Sequence, residues 1–210
     1  MVSMPEALLL FALHDDKGTV QPSAFLALDH ALRGALLSEL RCRGYLQTKA
    51  SGQVRLHPSP PAPPAESVLA RALAAVGELE LPAETGAALD AVQRELPNLR
   101  DDLAGALAER GILSEAHVER LGLPDDVVHP MSNGAAESRA RSMVRDALAQ
   151  GDEVSPRWGS LLALSVAAHL AADLFPSDQL DLAAARADWV AERDAVVRAV
   201  RTAIELVEGW

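Results

Sequence analysis

The residue types that most often carry catalysis are few in this chain and lie far apart in its sequence. The six histidines never recur four residues apart, and the single cysteine, Cys42, excludes an intramolecular disulfide and a multi-cysteine metal site. Asp15 and Asp16 could form an acid–base pair, but a solvated turn is the favoured interpretation because nothing indicates that either carboxylate is desolvated. We therefore predict a protein that is not an enzyme and that holds no metal or cofactor.

Known active-site motifs and a nucleic-acid-binding composition are also missing. The sequence contains no phosphate-binding loop, dinucleotide fingerprint, zinc-protease helix or nucleophile elbow. Thirty acidic residues against 19 Lys and Arg give a net charge of −11. A surface this negative repels phosphates over most of its area, so we do not expect a nucleic-acid partner. Lys17 and Lys49 are the only lysines, and this arginine-rich usage is typical of a high-GC, bacterial genome.

The elements that would position any site are mostly helices. Ser3 and Glu6 form the pattern of a capping box, and the first helix is predicted to run from residue 4 to Ala12. Apolar residues at helical spacing predict further helices. These helices cover residues 23–43, 66–77, 84–95, 98–110, 114–120, 134–150, 156–173 and 178–207. We expect a mainly α helical bundle that forms a single domain over residues 1–210.

One β-hairpin interrupts the helical pattern. Residues 45–49 and 53–56 alternate in polarity around a turn that contains Gly52, and no other strand pair is convincing in the sequence. A proline-rich stretch at 57–65 follows and is interpreted as a loop within the same domain. An isolated hairpin is marginal in water, so this one must pack on helices or on another chain.

No segment has the pattern of a membrane span or a secretory signal. The longest apolar stretch, Leu161–Phe175, is interrupted by Ser165, His169 and Asp173 and is shorter than the roughly 20 apolar residues that a span requires. The start of the chain lacks the basic residues of a signal peptide. We expect a cytoplasmic protein, for which peripheral binding to the inner face of the membrane stays open.

Four phrases, taken in order, carry a family resemblance. They are residues 5–10 (PEALLL), 32–40 (LRGALLSEL), 110–113 (RGIL) and 129–131 (HPM). Their order and spacing over roughly residues 4–206 resemble the Golgi phosphoprotein 3 family, including its bacterial members. The resemblance implies a single helical domain in which amphipathic helices surround a hydrophobic central helix. It implies no catalytic activity and no cofactor.

The resemblance also implies a lipid site. Eukaryotic family members bind phosphatidylinositol 4-phosphate and connect it to cytosolic partners. The family's arginine in the LRG phrase falls on Arg33, and one residue of its second basic cluster falls on Arg100. Pro97 replaces another basic residue, and Ala24 stands at the membrane-facing tryptophan, with Phe25 adjacent as the membrane-contact candidate. Because convergent guanidiniums suit phosphate oxygens, our first hypothesis is a peripheral module that binds an anionic phospholipid head group through Arg33 and Arg100.

The alternative hypothesis is a soluble helical scaffold without a lipid site. In the corresponding structural interpretation, Arg33 forms a helix-surface ion pair with Asp29, and Arg100 is a helix-start residue paired with a nearby acid. In the resembled family the hairpin can mediate oligomerisation, and its candidate contact residues here are Tyr45, Leu46, Val54 and Leu56. A scaffold of this kind would bind an unidentified protein partner or form a homo-oligomer through the hairpin.

Overall fold

The structure, a computed structural model, describes residues 2–49, 51–118 and 126–209. Within these ranges the chain is mainly α, which confirms the predicted fold class. The helices are α1 Met4–Ala12, α2 Leu28–Cys42, α3 Ser67–Gly77, α4 Thr85–Glu95, α5 Leu99–Glu109, α6 Ala135–Ala149, α7 Pro156–Ala167, α8 Ala171–Leu174, α9 Leu180–Arg193 and α10 Ala195–Glu208. The strands are β1 Leu46–Thr48, β2 Gln53–Leu56, β3 Ala83–Glu84, β4 Ala116–Val118 and β5 Asp126–Val128.

Helix α1 forms the centre of the core. All nine of its residues are buried, and it packs against α2, α5, α6 and α7. A helix that is apolar around its whole circumference requires neighbours on every side, and the amphipathic helices supply them. Glu6 accepts a hydrogen bond from the Ser3 N–H at 2.7 Å, as the predicted capping box requires.

Helices α2, α7 and α10 meet closely beside α1. A Cβ added to Gly34 in α2 would lie 2.3 Å from Val200 Cγ2 in α10 and 3.2 Å from Leu164 Cδ2 in α7. Only glycine allows the three helices to approach this far at that point. The glycine of the LRG phrase is therefore explained by packing, whereas the preceding Arg33 lies on the outer side of the same helix.

The predicted hairpin is present and belongs to a three-stranded antiparallel sheet. Leu46 pairs with Leu56 and Thr48 pairs with Val54 across β1 and β2. Strand β3 pairs with the other edge of β2 and extends the sheet beyond the prediction. The sheet lies against α2 and α4, so the hairpin packs on helices of its own chain.

A second hairpin corrects two predictions. Residues 116–118, which were expected to lie in a helix over 114–120, form β4 and pair antiparallel with β5. Because β4 and β5 pair, the prediction that residues 45–56 hold the only strand pair is also wrong. A helix this short is marginal without strong packing, whereas pairing with β5 satisfies the backbone polar groups of β4. Residues 119 and 120 lie outside the described residues.

Three predicted helices begin or divide at points that the sequence pattern does not mark with glycine or proline. The 23–43 helix starts only at Leu28, after a 3₁₀ turn at Pro22–Ala24. The 156–173 helix is interrupted at His169, whose φ of 60° is left-handed. The 178–207 helix divides at Asp194, whose extended backbone and side-chain hydrogen bonds to Val196 and Val197 N–H cap α10.

The HPM phrase is fixed by a glycine turn. Gly18 has a φ of 64°, and a Cβ at this position would lie 2.2 Å from the His129 carbonyl carbon. The His129 N–H donates to Gly18 O at 3.1 Å, and the Met131 N–H donates to Asp15 O at 2.9 Å. These contacts hold the end of β5 against the loop that precedes α2, next to the candidate site.

Candidate functional site

Arg33 and Arg100, which the sequence places far apart, both lie near the Asp29 carboxylate. Arg100, at the start of α5, donates from Nη2 to Asp29 Oδ1 at 2.8 Å. Asp29 lies one helical turn before Arg33 on α2, a spacing that makes the two side chains neighbours, and its charge acts on the Arg33 guanidinium. Asp29 therefore pairs with Arg100 at the surface between α2 and α5 and acts on Arg33 through its charge.

Arg33 is half-buried and keeps unused donors. Its nearest hydrogen-bond partner is His30 Nδ1 at 3.4 Å, and it forms no ion pair within 4 Å among the described residues. Burial lowers the pKa of Arg33, whereas Asp29 and Asp90 raise it, and an arginine stays charged in either case. Burial and the charge of Arg33 lower the pKa of His30, so this imidazole is mostly neutral at pH 7.

An exposed apolar pair stands beside Arg100. The Phe25 and Leu26 side chains are 61% and 58% exposed, and the Phe25 ring centroid lies 5.8 Å from the Arg100 guanidinium carbon. Ala24, at the family's tryptophan position, is completely buried. Leu26 was missed at the sequence level because Phe25 and Leu28 suggested one continuous helical stripe, whereas the helix starts only at Leu28.

A groove of about 320 Å³ adjoins the arginine pair. Phe25 and Arg100 form one side, and Val127 and His129 of the second hairpin form the other. Val127 is itself an exposed apolar residue. The anchored HPM phrase thus brings further apolar surface next to Phe25.

Carboxylates outnumber guanidiniums at the site. Asp101 lines the groove, and Asp90 faces Arg33 together with Asp29, so three carboxylates stand near two guanidiniums. An anionic ligand would compete with Asp29 for Arg100 and would be repelled by all three carboxylates. Pro97, in place of a basic residue, is exposed and supplies no charge.

The candidate hairpin residues lie mostly inside the chain. Tyr45, Leu46 and Val54 are buried in the core, and the Tyr45 hydroxyl donates to Ala62 O at 2.6 Å. Leu56 alone among the four is exposed. Three of the four predicted oligomer contacts are therefore occupied by intramolecular packing.

One family comparison gives this arrangement its context. The sequence model of the Golgi phosphoprotein 3 (GPP34) family matches residues 4–207. The chain belongs to the Golgi phosphoprotein 3 family. No curated protein matches the chain. The chain is a Golgi phosphoprotein-like module, and the matched range includes Arg33, Arg100 and Phe25.

The described part of the chain offers neither a metal cluster nor a membrane-spanning helix. Among residues 2–49, 51–118 and 126–209, no three His, Cys, Asp or Glu side chains are grouped in a way that could hold a metal ion. No helix in those ranges has the length and apolar character required to cross a bilayer.

A second arginine cluster, which the sequence did not predict, surrounds two buried carboxylates at the opposite end of α2. Glu39 is completely buried and accepts hydrogen bonds from Arg157 at 2.6 and 2.7 Å, from Arg43 at 2.7 Å and from the Met4 N–H at 3.0 Å. Beside it, Arg41 and Ser160 both donate to the Asp194 carboxylate. In this cluster each carboxylate is surrounded by donors, which marks the cluster as structural.

Proposed function

We propose that the protein is a non-catalytic, peripheral membrane module that binds the head group of an anionic phospholipid at Arg33 and Arg100. The observation that carries this proposal is the position of Asp29, because this anionic group pairs with Arg100 and its charge also acts on Arg33. A phosphate would occupy the same position with more acceptor oxygens. Phosphatidylinositol 4-phosphate is the lipid that the family resemblance suggests, and the inner face of the membrane is the corresponding location.

Binding requires two contributions acting together. Each basic residue near an anionic surface adds about 1 kcal/mol, so Arg33 and Arg100 supply roughly 2 kcal/mol. Phe25 and Leu26 add apolar surface that can enter the membrane interface beside the head group. Because the rest of the chain is strongly acidic, we expect stable binding only where both contributions are available.

Vesicle co-sedimentation tests the proposal. The probes are vesicles of phosphatidylcholine alone, of phosphatidylcholine with phosphatidylglycerol, and of phosphatidylcholine with phosphatidylinositol 4-phosphate. We expect sedimentation with the two anionic compositions, and a loss of about 30-fold in affinity when Arg33→Gln and Arg100→Gln are combined. Arg55→Gln with Arg193→Gln removes the same charge from exposed positions on β2 and α9 and serves as the matched control.

Two outcomes would contradict the proposal. One is sedimentation with anionic vesicles that does not exceed sedimentation with phosphatidylcholine alone. The other is an equal loss of affinity in the control double variant, which would show that overall charge and not the arginine pair determines binding.

Fewer observations support the scaffold alternative than support the binding of a lipid head group. The observations in its favour are the exposed Leu56 and the outer edge of β1, which pairs with no further strand in the part of the chain that the structure describes. The other hairpin candidates are buried. Deleting the hairpin would remove core residues, so Leu56→Ser is the cleaner test. An oligomer that dissociates on this substitution in light scattering would favour the alternative, whereas a monomer in both forms would count against it.

A further inference from the structure

A second concave surface lies at the other end of α5. It is a groove of about 300 Å³ with Ile112, Met143 and Trp158 on its apolar wall and Arg110 and Arg139 among its polar lining. Arg100 and Arg110 are separated by the length of α5, which is about 15 Å at 1.5 Å per residue. The groove is therefore distinct from the site at Arg33 and Arg100.

The two arginines of the groove leave one net positive charge. Arg110 donates from Nη1 to Glu6 Oε1 at 2.7 Å, and the Glu6 side chain is almost completely buried. Arg139 is exposed on α6 and has no hydrogen bond or ion pair with any other residue that the structure describes. With Glu6 counted, the groove has the charge to complement a single negative group.

The apolar surface of the groove is concave. The large apolar side chains that are exposed in the described ranges are Phe25, Leu26, Leu56, Val118, Val127, Leu182, Leu206 and Val207, and none of them lines it. A stable protein interface requires about 800 Å² from each partner, whereas small-molecule sites start near 300 Å³ and combine apolar walls with a few polar groups. These dimensions favour a small ligand over a protein partner.

We propose that this groove binds a small monocarboxylate with an aliphatic body, of the chemical class of a medium-chain fatty acid. The carboxylate would lie between Arg110 and Arg139, which offer charge-assisted hydrogen bonds. The aliphatic chain would lie against Trp158, Met143 and Ile112. This inference does not depend on the proposed lipid head-group function.

Isothermal titration calorimetry with decanoate tests the inference, with decanol and decyltrimethylammonium as probes of equal chain length. We expect saturable one-to-one binding of decanoate, and much weaker binding of the two probes that lack a negative charge. Arg139→Gln should weaken decanoate binding by about tenfold because it removes a charged hydrogen-bond donor. Arg55→Gln, on the exposed face of β2, is the matched control and should bind as the unsubstituted protein does.

A blocking variant tests the location. Ala136 lines the groove and Ser138 is exposed on the same helix outside it. Ala136→Phe should abolish decanoate binding while thermal unfolding shows a folded protein, and Ser138→Phe should preserve it. The double variant Arg33→Gln with Arg100→Gln should also preserve it, which separates this inference from the lipid head-group proposal.

Several results would overturn the inference. They are the absence of saturation by decanoate, equal binding of decanol, and unchanged affinity after Arg139→Gln or Ala136→Phe. Tighter binding of a short acidic peptide without an aliphatic chain would also overturn it, since the groove would then be assigned to a protein partner.

Discussion

Two ends of helix α2 hold the same chemical groups in different states. At one end, the carboxylate of Glu39 is inaccessible to solvent and accepts hydrogen bonds from two arginines and a backbone N–H. At the other end, the Asp29 side chain is 50% exposed and accepts from Arg100, while Arg33 beside it has no ion pair among the described residues. Both regions contain arginines gathered at a carboxylate.

The difference lies in whether the donors are used up. Around Glu39, removal of Arg157 takes away a donor to both carboxylate oxygens, so the cluster is coupled to the stability of the fold. Around Asp29, Arg33 keeps unused guanidinium donors and water reaches the carboxylate, which is the arrangement that the proposed binding of an anion requires. Burial and donor count, and not the presence of arginine, therefore separate a structural cluster from a candidate binding site.

The largest expected effect is on the buried end. Arg157→Leu removes the main partner of Glu39 and should lower the free energy of unfolding by about 3–5 kcal/mol, because a buried charge loses its compensation. Urea unfolding followed by circular dichroism measures the change. If the loss is below about 1 kcal/mol, Glu39 is better hydrated than its burial indicates and the contrast with Asp29 fails.

Arg71→Leu is the matched control for that prediction. Arg71 contacts Glu95 at 3.0 Å and Asp102 at 3.2 Å, but all three side chains are substantially exposed. Ion pairs between exposed side chains are screened by water and contribute little to stability, so the same substitution should have little effect here. A large loss in both variants would indicate a general effect of arginine removal and not one of burial.

The fold was largely predictable because most helices in the chain are punctuated by local signals. Helix α1 has a capping box and an apolar run. Gly111 follows the end of α5, and Pro156 is the first residue of α7. The errors occurred where a distant partner decides the local structure. Strand β4 depends on pairing with β5, and the turn at Asp194 is stabilised by Arg41 and Ser160, which lie far away in the sequence.

The candidate site was predictable only in part. Family resemblance indicated Arg33, Arg100 and Phe25, and hydrophobic periodicity placed Arg33 on the polar side of α2. Helical spacing indicated Asp29 as a partner for Arg33, whereas the contact of Asp29 with Arg100 depends on how α2 and α5 cross and could not be predicted. The exposure of Leu26 depends likewise on the late start of α2.

The next effect tests the apolar part of the exposed end. Phe25→Ser should weaken binding to anionic vesicles by about tenfold, because it removes most of the apolar surface next to Arg100. Vesicle titration measures the affinity, and unfolding should change little since the ring is exposed. Leu56→Ser is the control, because Leu56 is also an exposed apolar residue but lies on the hairpin. Equal losses in the two variants would remove Phe25 from the site.

A smaller effect of opposite sign is expected at Asp29. Asp29→Asn keeps the shape of the side chain and removes the anion that competes for Arg33 and Arg100, so affinity for anionic vesicles should increase by about threefold to fivefold. Asp181→Asn, on exposed α9, changes the net charge equally and is the control. A decrease in affinity would mean that Asp29 orients the arginines and that its replacement disorders them.

The smallest effect is a pH dependence that His30 confers on the same region. Because burial and Arg33 lower the pKa of His30 below 6.5, the unfolded chain takes up this proton first as the pH falls. Stability should therefore decrease as the pH falls from about 7 through 6.5 toward the folded pKa, by less than the 1.4 kcal/mol per pH unit that one full proton allows. Asp29 and Asp90 oppose the shift without reversing it.

Urea unfolding of the unsubstituted protein and of His30→Gln across this range isolates the effect, since all other groups titrate alike in both. If His30→Gln makes stability fall more steeply, the folded pKa of His30 is raised and not lowered. The carboxylates would then outweigh Arg33, and the exposed end of α2 would be less favourable to an anion than its arginines suggest.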